Sequence, residues 1–148
     1  MLRAAAILFF VLSAISTAAQ TLPTSAGSIE LTEMVSGLDT PWAVGILPDE
    51  TFLVTEREGD LLYVKDGTAT SVQGVPKVAT TGQGGLLDVT IPRDFRQSRE
   101  VFLTYSKPQP KGAGTALAIA RLSEDGSELT DLRTIFEAEN GGDSGRHF

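Results

Sequence analysis

The chain has no cysteine and only one histidine, His147, which is the second-last residue. The first absence removes disulfides, thiolate metal sites and a cysteine nucleophile together. With so few nitrogen and sulfur ligands, a zinc centre is also a poor expectation. Positive charge is scarce: 12 Lys and Arg stand against 19 Asp and Glu, a net charge of −7. Nucleic-acid binding needs a basic stripe to displace phosphate counterions, so that partner class is excluded. Long apolar runs are missing as well. The longest, Ala4 to Ile15, falls short of the roughly twenty residues a spanning helix requires.

That short run has another reading. In "MLRAAAILFFVLSAISTAAQ", Arg3 supplies a positive start, the apolar stretch follows, and Thr17, Ala18 and Ala19 are small. This is the pattern of a secretory signal peptide over residues 1–19, with a mature start near Gln20. No membrane span is expected after cleavage, and the absence of cysteine excludes a lipid-anchored start. Export to a bacterial periplasm or medium is the expected localisation, with the fold held by packing rather than cross-links.

The remainder reads as β-structure. After a lead-in over residues 20–28, short apolar or alternating runs recur: "IELTEMV", "WAVGIL", "TFLVTE", "LLYVK", "GLLDVTI", "EVFLTYS", "ALAIARL" and "LRTIFEA". Turn formers separate them, at Pro48-Asp49, Glu58-Gly59-Asp60, Asp66-Gly67, Pro92-Arg93-Asp94 and Asp125-Gly126. Regularly spaced short strands with turns between them predict an all-β protein. No window keeps an amphipathic helical period over three turns.

An internal echo narrows the architecture. "AVGILPDETFLVTERE" and "DVTIPRDFRQSREVFLTYSK" share one plan: apolar strand, Pro/Asp turn, and a second strand carrying Phe-Leu at Phe52 and Phe102. The second copy is lengthened by "FRQS", and "QPKGAG" adds further length behind it. A repeat of about 40 to 50 residues holding about four strands is the signature of a propeller blade. At roughly 45 residues per blade, the chain holds about two to two and a half blades, whereas a closed ring needs about four or more. The expectation is therefore the N-terminal part of a longer, truncated propeller, over residues 29–148.

Two glycine-rich loops are candidates for chemistry. "TTGQGGLLDV" sets Gln83 among Gly82, Gly84 and Gly85 before an apolar strand. Glycines allow positive φ and close backbone approach, and a glutamine amide offers both donor and acceptor to a hydroxyl-rich ligand. The same cluster also reads as a plain turn. A phosphate loop is excluded, because the Lys-Ser/Thr pair is missing and no helix follows. "NGGDSGRHF" carries His147, which suits general-base work at neutral pH but reads equally as an ordinary polar residue. A serine triad has no GxSxG elbow to stand on. The acidic "LSEDGSELTD" lacks the ligand spacing of a calcium loop and reads as a hairpin turn.

In this company the motifs carry a resemblance. "GLDTPWAVGILPDETFLVTEREGDLLYV", "GQGGLLDVTIPRDF" and "GRHF" occur in order, and the chain resembles the soluble aldose sugar dehydrogenases of the glucose/sorbosone dehydrogenase family from about Ile29 onward. The resemblance implies a six-bladed β-propeller in the full-length protein. It also implies oxidation of the anomeric carbon of aldose sugars to lactones, with pyrroloquinoline quinone and calcium as cofactors and an external electron acceptor. It assigns His147 as the general base for the anomeric hydroxyl, with hydride passing to C5 of the quinone. Gln83 is assigned as a substrate contact; Trp42 and Asp88 also match family positions and are read as structural, in packing and strand-turn support. One position departs: where the best-known glucose dehydrogenase branch has an aspartate before the base, this chain has Arg146. Asp143, four residues before His147, is not given that aspartate's role. The quinone and calcium ligands are expected in the family's later blades, so the 148 residues by themselves are expected to be inactive. A noncatalytic sugar- or protein-binding propeller and a calcium-dependent propeller hydrolase or lactonase remain as alternative classes.

Overall fold

The computed structural model describes residues 19–138, and their regular structure is strand apart from one helical turn. The candidate base His147 and the signal segment lie outside the described residues. The chain divides into two units, residues 1–33 and 34–148.

In the first unit, β1 (Gln20–Thr24) and β2 (Gly27–Leu31) pair antiparallel from Gln20↔Leu31 to Thr24↔Gly27. The hairpin closes with Thr24 Oγ1 donating to the Gly27 carbonyl at 2.6 Å, and Gly27 takes a φ of 130° that glycine adopts without steric cost. The stretch read as a loose lead-in, residues 20–28, is thus most of a hairpin. Its strands are almost wholly exposed and include Pro23, and only the Ile29–Leu31 end of β2 fell within a run read as a strand, "IELTEMV".

The second unit holds two four-stranded antiparallel meanders. The first runs β3 (Pro41–Ile46), β4 (Phe52–Glu56), β5 (Leu61–Lys65) and β6 (Thr68–Ser71). The second runs β7 (Leu86–Thr90), a one-turn helix α1 (Phe95–Ser98), β8 (Glu100–Pro108), β9 (Ala113–Leu122) and β10 (Leu129–Glu137). Each sheet keeps its strands in chain order, so every neighbour is joined by a short connection. The repeated motif marks equivalent elements: β3–β4 in one sheet and β7–β8 in the other. The extra "FRQS" forms α1, and "QPKGAG" covers the β8–β9 turn and the first two residues of β9.

The two sheets pack face to face, and the core lies between them. β7 lies against β3 and β4. Leu47, Leu53, Leu61 and Val72 from the first sheet meet Leu86, Val89, Val101, Leu103 and Tyr105 from the second. Ala116, Ala118 and Ala120 stand opposite Tyr105, Leu103 and Val101 in the β8–β9 register, and their small side chains leave room for the facing sheet. Gly45 does the same on β3, where a Cβ would lie 3.0 Å from Ile91 Cγ1. Polar stitches cross the same interface. Thr55 Oγ1 accepts from Ala43 N (3.0 Å) and donates to the Leu87 carbonyl (2.6 Å), and the residue is fully buried. At the other edge, Gln73 pairs in parallel with Glu128. Gln73 N donates to Ser127 O and Leu129 N to Gln73 O, both at 2.8 Å.

Two stacked four-stranded meanders, joined inner strand to inner strand and rim to rim, are adjacent blades of a β-propeller. The all-β expectation and the blade count hold. The face of β3 turned away from the core is apolar and open, with Trp42, Val44 and Ile46 exposed at 52%, 59% and 65%.

Candidate functional site

One end of the paired sheets gathers three loops: residues 39–41 before β3, the β4–β5 turn at 56–60, and residues 79–85 before β7. Their meeting point is the segment Glu56-Arg57-Glu58. The Glu56 carboxylate, nearly buried, accepts from Asp39 N at 2.5 Å, and Arg57 N donates to the Thr40 carbonyl at 3.1 Å. The turn itself is closed by Glu56 N to Asp60 O (2.8 Å) and Gly59 N to Glu56 O (3.0 Å).

The Gln83 loop is tied down on both sides. Ser106, fully buried on β8, holds it from below: its amide donates to Gly85 O (2.9 Å), its carbonyl accepts from Ala79 N (2.8 Å), and its hydroxyl accepts from Gly85 N (3.2 Å). Arg57 holds it from the side. The Arg57 carbonyl accepts from Leu86 N (3.0 Å), Arg57 Nη1 donates to the Gly82 carbonyl (2.9 Å), and Nη2 pairs with the Glu58 carboxylate. The close approach explains Gly85. A Cβ there would lie 2.0 Å from the Arg57 carbonyl oxygen, at a φ of 152°.

Gln83 sits at the crest of this loop, exposed to solvent. The sequence placed it before a strand in a glycine cluster, and the structure does the same. Asp88 is exposed on β7, where its carboxylate accepts from Thr90 Oγ1 at 3.4 Å. Trp42 differs from its expected packing role, because its side of β3 faces away from the core and leaves it half exposed. Arg57 and Ser106 were not singled out from the sequence. Arg57 follows the "LVTE" strand and reads as one more surface charge, and Ser106 ends a strand as a small polar residue.

Among the described residues, no three Asp, Glu or His side chains come together as metal ligands. Arg57, the cation against the Gln83 loop, is already committed to Gly82 and Glu58. What the arrangement offers is a rigidly framed, solvent-facing amide with both donor and acceptor, suited to a polyhydroxylated ligand.

The profile of the family described as Glucose / Sorbosone dehydrogenase matches residues 38–148. This chain belongs to the glucose/sorbosone dehydrogenase family. Within that family, it is 46% identical over 115 residues to the aldose sugar dehydrogenase YliI of Escherichia coli (strain K12), covering 75% of this chain and 31% of that protein. The crystal structure of the soluble aldose sugar dehydrogenase from Escherichia coli in its apo form superposes with a TM-score of 0.71 at 44% identity, covering 75% of this chain and 33% of that one. The pyrroloquinoline quinone-bound aldose sugar dehydrogenase of Streptomyces coelicolor shares the fold, with a TM-score of 0.62 at 23% identity over 83% of this chain and 35% of that one. The glucose/sorbosone dehydrogenase chain described here therefore spans about a third of the length of the relatives it matches. Among its described residues, no helix is long and apolar enough to cross a membrane.

Proposed function

We propose that this chain is part of a full-length sugar oxidoreductase that oxidises the anomeric carbon of aldoses to lactones. The observation that carries the reading is the family match over residues 38–148, which takes in both the framed Gln83 loop and the "GRHF" segment. Family relatives named as aldose and glucose dehydrogenases support a sugar substrate, and the proposal adds an external electron acceptor.

In this reading Gln83 donates and accepts hydrogen bonds with the sugar's hydroxyls. His147 takes the anomeric hydroxyl proton as hydride leaves C1, which avoids a high-energy oxocarbenium product. Pyrroloquinoline quinone with calcium is the acceptor chemistry the reading names; the quinone-bound relative of the same fold supports the quinone part of it. Export through the signal segment at residues 1–19 belongs to the same proposal.

The test is dye-coupled aldose oxidation by the full-length enzyme supplied with quinone and calcium. His147→Gln is expected to lower kcat by about 10²–10⁴-fold, the usual contribution of a positioned base. The 148-residue chain alone is expected to reduce no dye. Lactone hydrolysis without any acceptor, unaffected by added quinone, would instead point to a hydrolase.

A further inference from the structure

The Gln83 loop does not determine its own shape. Gly82, with a φ of 63°, and Gly85, with a φ of 152°, flank the glutamine on either side of Gly84, and glycines of this kind give the free chain many alternative conformations. The loop's single described internal backbone bond, Gly84 N to Thr81 O at 3.1 Å, closes a turn without aiming Gln83. The direction of its amide must be imposed from outside the loop.

Two outside anchors have different effects. Ser106 bonds to Gly85 and Ala79, and so fixes the feet of the loop. Arg57 reaches the crest. The carbonyl it holds, Gly82 O, belongs to the peptide unit that joins Gly82 to Gln83. A peptide unit is planar, so fixing its oxygen fixes the Gln83 nitrogen and the direction in which the Gln83 Cα departs. The guanidinium is itself held from two directions. Nη1 is on the loop while Nη2 is on Glu58, and the Arg57 main chain is bonded to Thr40 and Leu86. A planar fork bridging two acceptors transmits orientation in a way that a single ammonium cannot.

We propose that Arg57 is a positioning residue for sugar binding, acting through the Gly82–Gln83 peptide to aim the Gln83 amide at the substrate. This rests on the reading of Gln83 as a sugar contact. It adds a residue that touches neither the sugar nor the reacting atoms, and it makes the β4–β5 turn part of the specificity apparatus.

The experiment is a double-mutant cycle in the full-length enzyme, reading KM for aldose, kcat and its pH profile, with circular dichroism to confirm folding. Gln83→Ala and Arg57→Ala are each expected to raise KM by about tenfold while kcat stays within about threefold and its pH profile is unmoved; residues that act as a unit are non-additive, so the double variant is expected to be no worse than Gln83→Ala. An unchanged KM in Arg57→Ala, or single effects that multiply to about a hundredfold in the double variant, overturns the proposal. A silent Gln83→Ala refutes the sugar-contact reading, and the Arg57 role falls with it. An active Gln83→Ala beside a silent Arg57→Ala refutes the Arg57 role alone. Should Arg57→Ala fail to fold, Arg57→Lys carries the same test. It keeps the charge without the fork, and is expected to raise KM. An unchanged KM in a folded Arg57→Lys variant also overturns the proposal.

Discussion

Single side chains set the local conditions of this fold, and Asp125 shows the clearest electrostatic signature. In the β9–β10 hairpin its carboxylate accepts from Ser123 Oγ (2.7 Å), Ser127 Oγ (2.8 Å) and Ser127 N (3.1 Å). These bonds, those of Ser123 and Ser127 above all, pull its pKa from 3.8 to about 2. A carboxyl with a depressed folded pKa stabilises the fold above its unfolded pKa, and that contribution is lost as pH falls through the folded value. The stability difference between wild type and Asp125→Asn is therefore expected at neutral pH, to shrink from pH 3.8 downward, and to be gone below about 2. Urea melts across this range check the difference, and a carboxyl NMR titration with a midpoint near 3.8 would contradict its cause. At this scale the sequence was legible where a residue type announced a job. Gln83 among glycines was such a case. Arg57 was not, because its importance lies in which carbonyl it meets across the 25 positions to Gly82. Nothing local to "TERE" encodes that meeting.

Strands and turns were more legible than individual contacts, for a physical reason. Buried strands such as "TFLVTE" and "EVFLTYS" must carry apolar residues, and the turns Asp66-Gly67 and Asp125-Gly126 must carry residues that tolerate positive φ. β6, "TATS", escaped notice because all four of its residues are exposed, and β1 escaped for nearly the same reason, while β2 was caught only at its Ile29–Leu31 end. Which sheet face meets which was also hidden, since Thr55 looks like any threonine in a strand. In the fold it is fully buried and bonds both β3 and β7. Thr55→Val keeps the shape but removes that bridge, leaving the Leu87 carbonyl and Ala43 amide short of a partner. The expected cost is about 1–3 kcal/mol, the penalty of unpaired buried polar groups. Equilibrium unfolding in urea reads this directly, and a Thr55→Val variant as stable as wild type would show that the stitch carries no weight.

At the largest scale, the second unit has a covered interior between its sheets and open apolar positions on its outer strands, at Trp42, Val44 and Ile46 of β3 and at Leu132, Ile135 and Phe136 of β10. Leu53, Leu103 and their neighbours bury the space between the sheets, while Trp42, Val44 and Ile46 form an apolar stripe on the far side of β3. Apolar surface of this kind drives association when left in water. Expressed as these 148 residues, the chain is expected to self-associate, and the double substitution Val44→Thr and Ile46→Thr to shift it toward monomer in sedimentation velocity. A monomeric wild-type chain at tens of micromolar would refute that expectation.

The rim bonds of Gln73 bear on how such a chain comes apart. Stacked repeats that touch only along one face can melt one at a time, as a row of nearly independent units. Here Gln73, just past the last strand of one sheet, is hydrogen-bonded to Ser127 and Leu129 of the other, while Thr55 joins the same sheets near their inner strands. Neither sheet can detach without breaking bonds at both its inner and its outer margin. The pair is therefore expected to open as one cooperative unit, its two sheets losing hydrogen-exchange protection together.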